Sequence, residues 1–119
     1  MHSLDTLFLD RDGVINVKLE ERYVRNSNEF EFMQGALVAI SKLSKLFKRI
    51  LIVTNQQGIG KGIMTEDDLN LLHSFMTSEI GKLNGKIDKI YFCPHLDTEN
   101  CNCRKPNPGM INQAIADFP

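Results

Sequence analysis

The sequence has no tryptophan, only two tyrosines and four prolines, and no excess of charge of either sign. Apolar runs such as Leu7 to Leu9 and Ile50 to Val53 are far too short to span a bilayer, so no membrane-embedded class is expected. Met1-His2-Ser3-Leu4 lacks the layout of a secretory signal, and the expectation is a cytoplasmic protein. Fourteen basic side chains against fifteen acidic ones leave a net charge of -1. No global positive field exists to hold a polyanion, which disfavours nucleic acid as a bulk partner. There is no internal repeat, low-complexity tract or linker. What is there suits a water-soluble globular chain: 42% hydrophobic and 24% charged residues over 119 positions, enough for one core but not for two ordinary domains. The expectation is a single domain over residues 1–119, and a monomer, because no long apolar stripe remains unassigned.

Cysteine is also scarce. The count of three is odd, so full pairing is impossible, and Cys93, Cys101 and Cys103 fall within eleven residues with His95 among them. Cys93-x-His95 and Cys101-x-Cys103 supply four soft or borderline ligands, a full tetrahedral set for Zn²⁺. Residues i and i+2 of extended chain can point the same way. With four protein ligands no position stays open for substrate, so this metal is expected to be structural and to brace the loop carrying Arg104 and Lys105. His2 and His73 have no comparable partners and read as solvated side chains.

Strand and helix patterns alternate along the chain. Leu4 to Leu9 reads as a strand ending at Asp10-Arg11-Asp12-Gly13. From Gly35, the positions Ala36, Leu37, Ile40, Leu43, Leu46 and Phe47 recur as one stripe of a helix. Ile50-Leu51-Ile52-Val53 is uniformly apolar, as a strand covered on both faces should be, and opens into Thr54-Asn55. Thr65-Glu66-Asp67-Asp68 reads as a capped helix start, with Leu69, Leu72, Met76, Ile80 and Leu83 at helical spacing and Asn84-Gly85 as its stop. Ile87 to Phe92 reads as a third strand, and Pro108 as N1 of a last helix. Lys18 to Phe32 shows no periodicity and is left irregular. The fold class expected is α/β, a Rossmann-like open parallel sheet with flanking helices, whose right-handed crossovers gather the polar loops on one edge.

Asp10 and Asp12, one residue apart at a strand end, put two carboxylates toward one pocket. Such a pair suits a division of labour between an attacking or cation-binding carboxylate and a proton donor. Taken alone, Asp-Arg-Asp-Gly reads as a turn, Thr54 as a strand-end hydroxyl and Lys105 as a solvated charge. Gly58-Ile59-Gly60-Lys61-Gly62 fits neither G-x-G-x-x-G, since residue 63 is Ile, nor the Walker A spacing. It reads as a backbone turn whose N–H groups could line the side of the site next to Thr54.

Three motifs in order carry a resemblance. Leu7-Phe8-Leu9-Asp10-Arg11-Asp12-Gly13-Val14-Ile15-Asn16, Ile52-Val53-Thr54-Asn55-Gln56 and Cys103-Arg104-Lys105-Pro106 resemble the first three motifs of the haloacid dehalogenase superfamily, in its capless subfamily IIIA. The resemblance implies a Mg²⁺-dependent phosphatase of small phosphorylated metabolites. Asp10 would be the nucleophile and Asp12 the general acid and base. Thr54 would bond a phosphoryl oxygen and Lys105 would offset charge. Asp10 and the Asp12 backbone carbonyl would hold Mg²⁺, while Asn55, Gln56, Lys61 and Arg104 would contact substrate. The zinc loop resembles those of two groups, the heptose-bisphosphate and the histidinol-phosphate phosphatases. Asp12-Gly13-Val14-Ile15-Asn16, Gly58-Ile59-x-Lys61-Gly62 and Pro106-x-Pro108-Gly109-Met110 are closer to the heptose group, which implies hydrolysis of D-glycero-D-manno-heptose 1,7-bisphosphate in formation of a lipopolysaccharide precursor. The short span from His95 to Cys101 is closer to the histidinol group. The Gly-rich segment also resembles polynucleotide 3′-phosphatases, against which stand the near-neutral charge and absence of tryptophan. A reading of another class is a catalytically silent zinc-stabilised binding module, against which stand the intact aspartates. The superfamily's fourth motif, an acidic Gly-Asp strand end completing the Mg²⁺ site, has no counterpart before Asp117-Phe118-Pro119. The expectation is a domain truncated before that motif; were these 119 residues the whole polypeptide, Mg²⁺ would be expected to bind weakly and turnover to be poor.

Overall fold

The computed structural model describes residues 4–20 and 22–119. Three strands, β1 (Leu4–Leu9), β2 (Phe47–Asn55) and β3 (Lys89–Cys93), form one parallel sheet in the order β1-β2-β3. Leu7 lies opposite Ile50, and Val53 opposite Tyr91. The helices are α1 (Ala36–Leu46), α2 (Gln57–Gly60), α3 (Glu66–Lys82) and α4 (Gly109–Asp117), with a 3-10 turn at Asp97–Glu99. The α/β parallel architecture is as expected, and all three strands end on the edge where the polar loops lie.

The middle strand shows why its sequence is uniformly apolar. Ile50 to Val53 are all buried, and alternate residues serve opposite faces. Ile52 joins Ile15, Val24, Phe30, Ile40, Leu72, Met76 and Ile80 on the face covered by α1 and α3. Leu51 and Val53 join Tyr91, Cys93, Met110 and Ala114 beneath α4. Emptying a fully buried aliphatic position in such a face costs roughly 2–5 kcal/mol. Each face is therefore a substantial share of a marginal total.

Helix α3 begins as its sequence implies. Asp68 N–H donates to Thr65 Oγ1 at 3.1 Å and Thr65 N–H donates to Asp68 Oδ2 at 2.9 Å, a complete capping box. Asn84, with φ of 63°, turns the chain out of the helix. Three boundaries shift. Phe47 opens β2 rather than closing α1, because it pairs in register with Leu4. The third strand runs from Lys89 to Cys93, later than its apolar run. Pro108 is the N-cap of α4 rather than its first helical residue.

The described residues from Lys18 to Phe32 are irregular, as expected, and they bury Val24 and Phe30 in the core, while Asn16 pairs with Phe32 across an isolated β-bridge. One other reading changes. His73 is not solvated: it is 7% exposed on the inner face of α3. His2 lies outside the described residues. Among the described residues no helix is long and apolar enough to cross a membrane.

Candidate active site and cysteine-histidine cluster

The loop leaving β1 is wound tightly around one carbonyl. Arg11 C=O accepts from the N–H groups of Val14, Ile15 and Asn16, and Gly13 N–H donates to Asn16 C=O at 2.8 Å. Gly13 makes that reversal with φ of 85°, a conformation a side chain would resist. The reversal returns Asn16 to Asp12, whose Oδ1 accepts from Asn16 Nδ2 at 3.0 Å. The same oxygen accepts from Arg11 Nη2 at 2.7 Å and Nε at 3.2 Å, and Oδ2 accepts from Gln56 Nε2 at 3.2 Å. Asp12 is thus immobilised by residues from β1's loop and from the end of β2.

Asp10 is treated differently. It is 43% exposed by side chain, and its Oδ1 accepts from Arg11 N–H at 2.8 Å and from Lys105 Nζ at 3.0 Å. Among the described residues no donor lies on Oδ2. Lys105 is aimed by three contacts. Its Nζ donates to Val53 C=O at 3.0 Å, its N–H donates to Asn55 Oδ1 at 2.9 Å, and its C=O accepts from Asn55 Nδ2 at 3.3 Å. An amide side chain that satisfies both backbone groups of one residue holds its register on the sheet edge.

These groups line a cavity of about 400 Å³ together with Thr54, Lys61 and Arg104. The structure brings seven of the eight residues expected to act on substrate into this lining. The exception is Gln56, which is 1% exposed and instead donates to Thr54 Oγ1 and Asp12 Oδ2 from beneath. Periodicity missed another wall, in which Lys18, Leu19, Arg22, Tyr23 and Val24 come from the irregular segment. The signal available was its separated basic residues, Lys18, Arg22 and Arg25, beside one tyrosine rather than any apolar spacing. Five cations and two carboxylates line the cavity, so a chain of net charge -1 presents a locally positive, anion-seeking pocket.

Lys61 and Tyr23 form one side of that pocket. The Lys61 ammonium lies 5.3 Å from the Tyr23 ring centre, and Gln57 Nε2 donates to the Tyr23 hydroxyl at 3.0 Å. Lys61 first, and Gln57 second, hold the phenol below its usual range. Arg104 Nε lies 3.4 Å from Asp97, and its Nη1 is enclosed with no partner among the described residues. An enclosed guanidinium nitrogen without an acceptor is a place for an anionic ligand oxygen.

The second polar centre closes the same edge beyond β3. Ligand atoms of Cys93, His95, Cys101 and Cys103 all lie within 4.8 Å of one another. Cys93 Sγ is 3.4 Å from both His95 Nδ1 and Cys101 Sγ, His95 Nδ1 is 3.2 Å from Cys103 Sγ, and Cys101 and Cys103 sulfurs are 3.7 Å apart. Cys93 and Cys103 sulfurs lie within bonding distance, and Cys101 is free. The short helix α2 touches this loop. Gly60 N–H donates to Pro94 C=O at 2.9 Å, and a Cβ on Gly60 would meet that oxygen at 2.6 Å. Gln57 Oε1 accepts from Asp97 N–H at 2.6 Å, so one residue joins Tyr23 to the cysteine loop.

Residues 6–119 match the family described as polynucleotide kinase 3 phosphatase. The chain belongs to this family. Its fold matches that of a putative had-like phosphatase from Mesorhizobium loti with a TM-score of 0.80 at 26% identity, covering 99% of this chain and 59% of that one. The chain is 43% identical over 113 residues to the D-glycero-alpha-D-manno-heptose-1,7-bisphosphate 7-phosphatase of Mycobacterium tuberculosis, covering 95% of this chain and 60% of that protein. It is 39% identical over 112 residues to the D-glycero-beta-D-manno-heptose-1,7-bisphosphate 7-phosphatase of Neisseria meningitidis, covering 94% of this chain and 59% of that one. The D,D-heptose 1,7-bisphosphate phosphatase of B. bronchiseptica, solved with magnesium and phosphate, superposes with a TM-score of 0.90 at 32% identity, covering 97% of this chain and 64% of that one. The chain thus spans about three fifths of the length of these relatives.

Proposed function

We propose that this family member is a phosphomonoester hydrolase that removes the 7-phosphate of D-glycero-D-manno-heptose 1,7-bisphosphate. The observation that carries the reading is the unequal treatment of two neighbouring carboxylates. Asp10 has one oxygen tied by Lys105 and the other without a donor among the described residues, while both oxygens of Asp12 beside it accept hydrogen bonds. The free Asp10 oxygen is the nucleophile: it attacks phosphorus to form an aspartyl phosphate as the bond to the sugar oxygen breaks. Asp12 gives that oxygen its proton and then takes one from the water that cleaves the acyl phosphate. Lys105 offsets the charge gathered on Asp10 and the phosphoryl group, and Thr54 and Arg104 bind its oxygens. A substrate with two phosphates suits a cavity with three further cations, Lys18, Arg22 and Lys61, spread along one wall.

The Asp10 carboxylate and the Asp12 backbone carbonyl are the oxygen donors that would hold Mg²⁺, a hard cation that takes such ligands. When bound it adds positive charge where phosphoryl oxygens become more negative. The reduced Cys93, His95, Cys101 and Cys103 set fits Zn²⁺, since the edges of a tetrahedron with bonds of about 2.3 Å are close to the separations around His95 and Cys101. The protein acts in the cytoplasm as a monomer on a small phosphorylated sugar.

Phosphate release from heptose bisphosphate, histidinol phosphate and a 3′-phosphorylated oligonucleotide, with Mg²⁺ and an Asp10→Asn control, tests the reading. Preferential release from the heptose substrate is expected, since the locally basic cavity belongs to a chain without a basic surface. Preference for either other substrate overturns the choice of substrate. No release from any of them sinks the enzyme reading.

A further inference from the structure

Arg11 lies between the two aspartates yet lines no part of the cavity. Its side chain leaves the sheet edge on the opposite side and is 1% exposed, which makes it a fully buried cation. Burying a guanidinium is unfavourable unless its N–H groups are met, and among the described residues they are met by two partners. Nε and Nη2 both converge on Asp12 Oδ1, and Nη1 lies 3.2 Å from His73 Nε2 on α3. The Phe30 ring lies 6.0 Å from the guanidinium carbon. A guanidinium nitrogen can only donate, so His73 Nε2 must be the bare nitrogen and Nδ1 must carry the ring proton.

The fork is not the common one. Arginine usually gives one N–H to each carboxylate oxygen, whereas both of these go to Oδ1, where Asn16 Nδ2 adds a third donor. Three N–H groups occupy the lone-pair directions of Oδ1 and leave no room there for a proton. Oδ2 meets only Gln56 Nε2 at 3.2 Å. We propose that Arg11, anchored by His73, is a positioning residue that reserves Asp12 Oδ2 as the single oxygen through which Asp12 gives and takes its proton. The inference rests on the phosphatase reading. Positive charge alone does not suffice, because it is the two convergent donors that fix the plane of the carboxyl group, which a lysine cannot do.

Comparing substrates that differ in their need for a proton separates this role from a merely structural one. A sugar or alkyl phosphate leaves as an alkoxide that must be protonated, whereas p-nitrophenyl phosphate leaves as a stable phenolate. The ratio kcat/KM reports steps up to aspartyl-phosphate formation only, so the later hydrolysis does not enter. Arg11→Lys is expected to lose roughly a hundredfold in kcat/KM on heptose bisphosphate or glycerol phosphate but less than about threefold on p-nitrophenyl phosphate. His73→Phe should lose about tenfold with the same selectivity, and His73→Gln, which keeps an acceptor oxygen, should recover most of it. The His73 pair decides the matter should Arg11→Lys not fold. Nitrogen-15 spectra of the unsubstituted protein at neutral pH should show His73 bare at Nε2. Equal losses on both substrate types, no loss, or a protonated Nε2 overturns the inference alone. Absence of phosphate release from the unsubstituted protein overturns the phosphatase reading and this inference with it.

Discussion

Asp12, after β1, receives four N–H donors from three residues of its own chain, whereas the four ligand atoms after β3 have chiefly one another. Thiols are weak donors and weak acceptors, so the cysteine cluster gains little from internal hydrogen bonds. The first loop is organised by the protein alone. The second reaches comparable order only with a covalent or metal bond. Arg104 and Lys105 directly follow the cysteines, and Lys105 is also held from β2 by Val53 and Asn55. On the other side Asp10 and Asp12 are ready as folded. The two regions meet at α2, through Gln57 and Gly60.

The largest test of that contrast removes the proposed nucleophile. Asp10→Asn is expected to lower kcat for phosphate release by about four orders of magnitude or more while leaving the melting temperature and zinc content unchanged, since neither region is held together by Asp10 Oδ2. Next, Cys101→Ser should drop bound zinc below half an equivalent in freshly purified, reduced protein and lower kcat/KM roughly ten- to a hundredfold through a loosened Lys105. Equal activity in the two proteins would show that the cysteine loop does not brace the site.

A third test acts on the aspartate side through His73. Burial first, and the Arg11 charge second, lower its pKa from the usual 6.5 to about 4, with Asp12 opposing. Between those values the unfolded chain binds the extra proton and the folded one does not. Stability contributed by neutral His73 is therefore complete above pH 6.5 and is lost as the pH falls toward 4, by on the order of 3 kcal/mol. Urea midpoints from pH 7 to pH 4 should show this fall, and His73→Phe should lack that component. The smallest effect is expected where the regions touch. Gly60→Ala forces a Cβ against Pro94 C=O, and a loss of about 1–3 kcal/mol by urea titration, with zinc retained, would place the contact between loops rather than within the cluster.

Much of this was legible in residue order because local rules carried it. The uniformly apolar Ile50 to Val53 could only be a strand covered twice, and the Thr65 to Asp68 box opened α3 where its spacing placed it. Asp10, Thr54 and Lys105 meet because parallel strands deliver their carboxyl ends to one edge. His73 read as solvated because no neighbour in sequence could reveal Arg11, 62 positions away. Lys18 to Val24 has no period to read, and Lys18, Leu19, Arg22, Tyr23 and Val24 come to the cavity wall through the fold. Asp117 is held at the end of α4 by Tyr91, Lys89 and Gln113, which lower its pKa to about 2.

Residue order alone settled the class of fold, the two chemical centres and the order in which their residues enter, because hydrophobic period, capping and ligand chemistry act over a few residues. Packing in three dimensions was needed to settle which carboxylate oxygen stays free, which arginine points away from substrate, and that the pocket is basic although the chain is not. Those properties depend on distances between residues far apart in the chain, and charge and hydrogen bonding act through space rather than along the sequence.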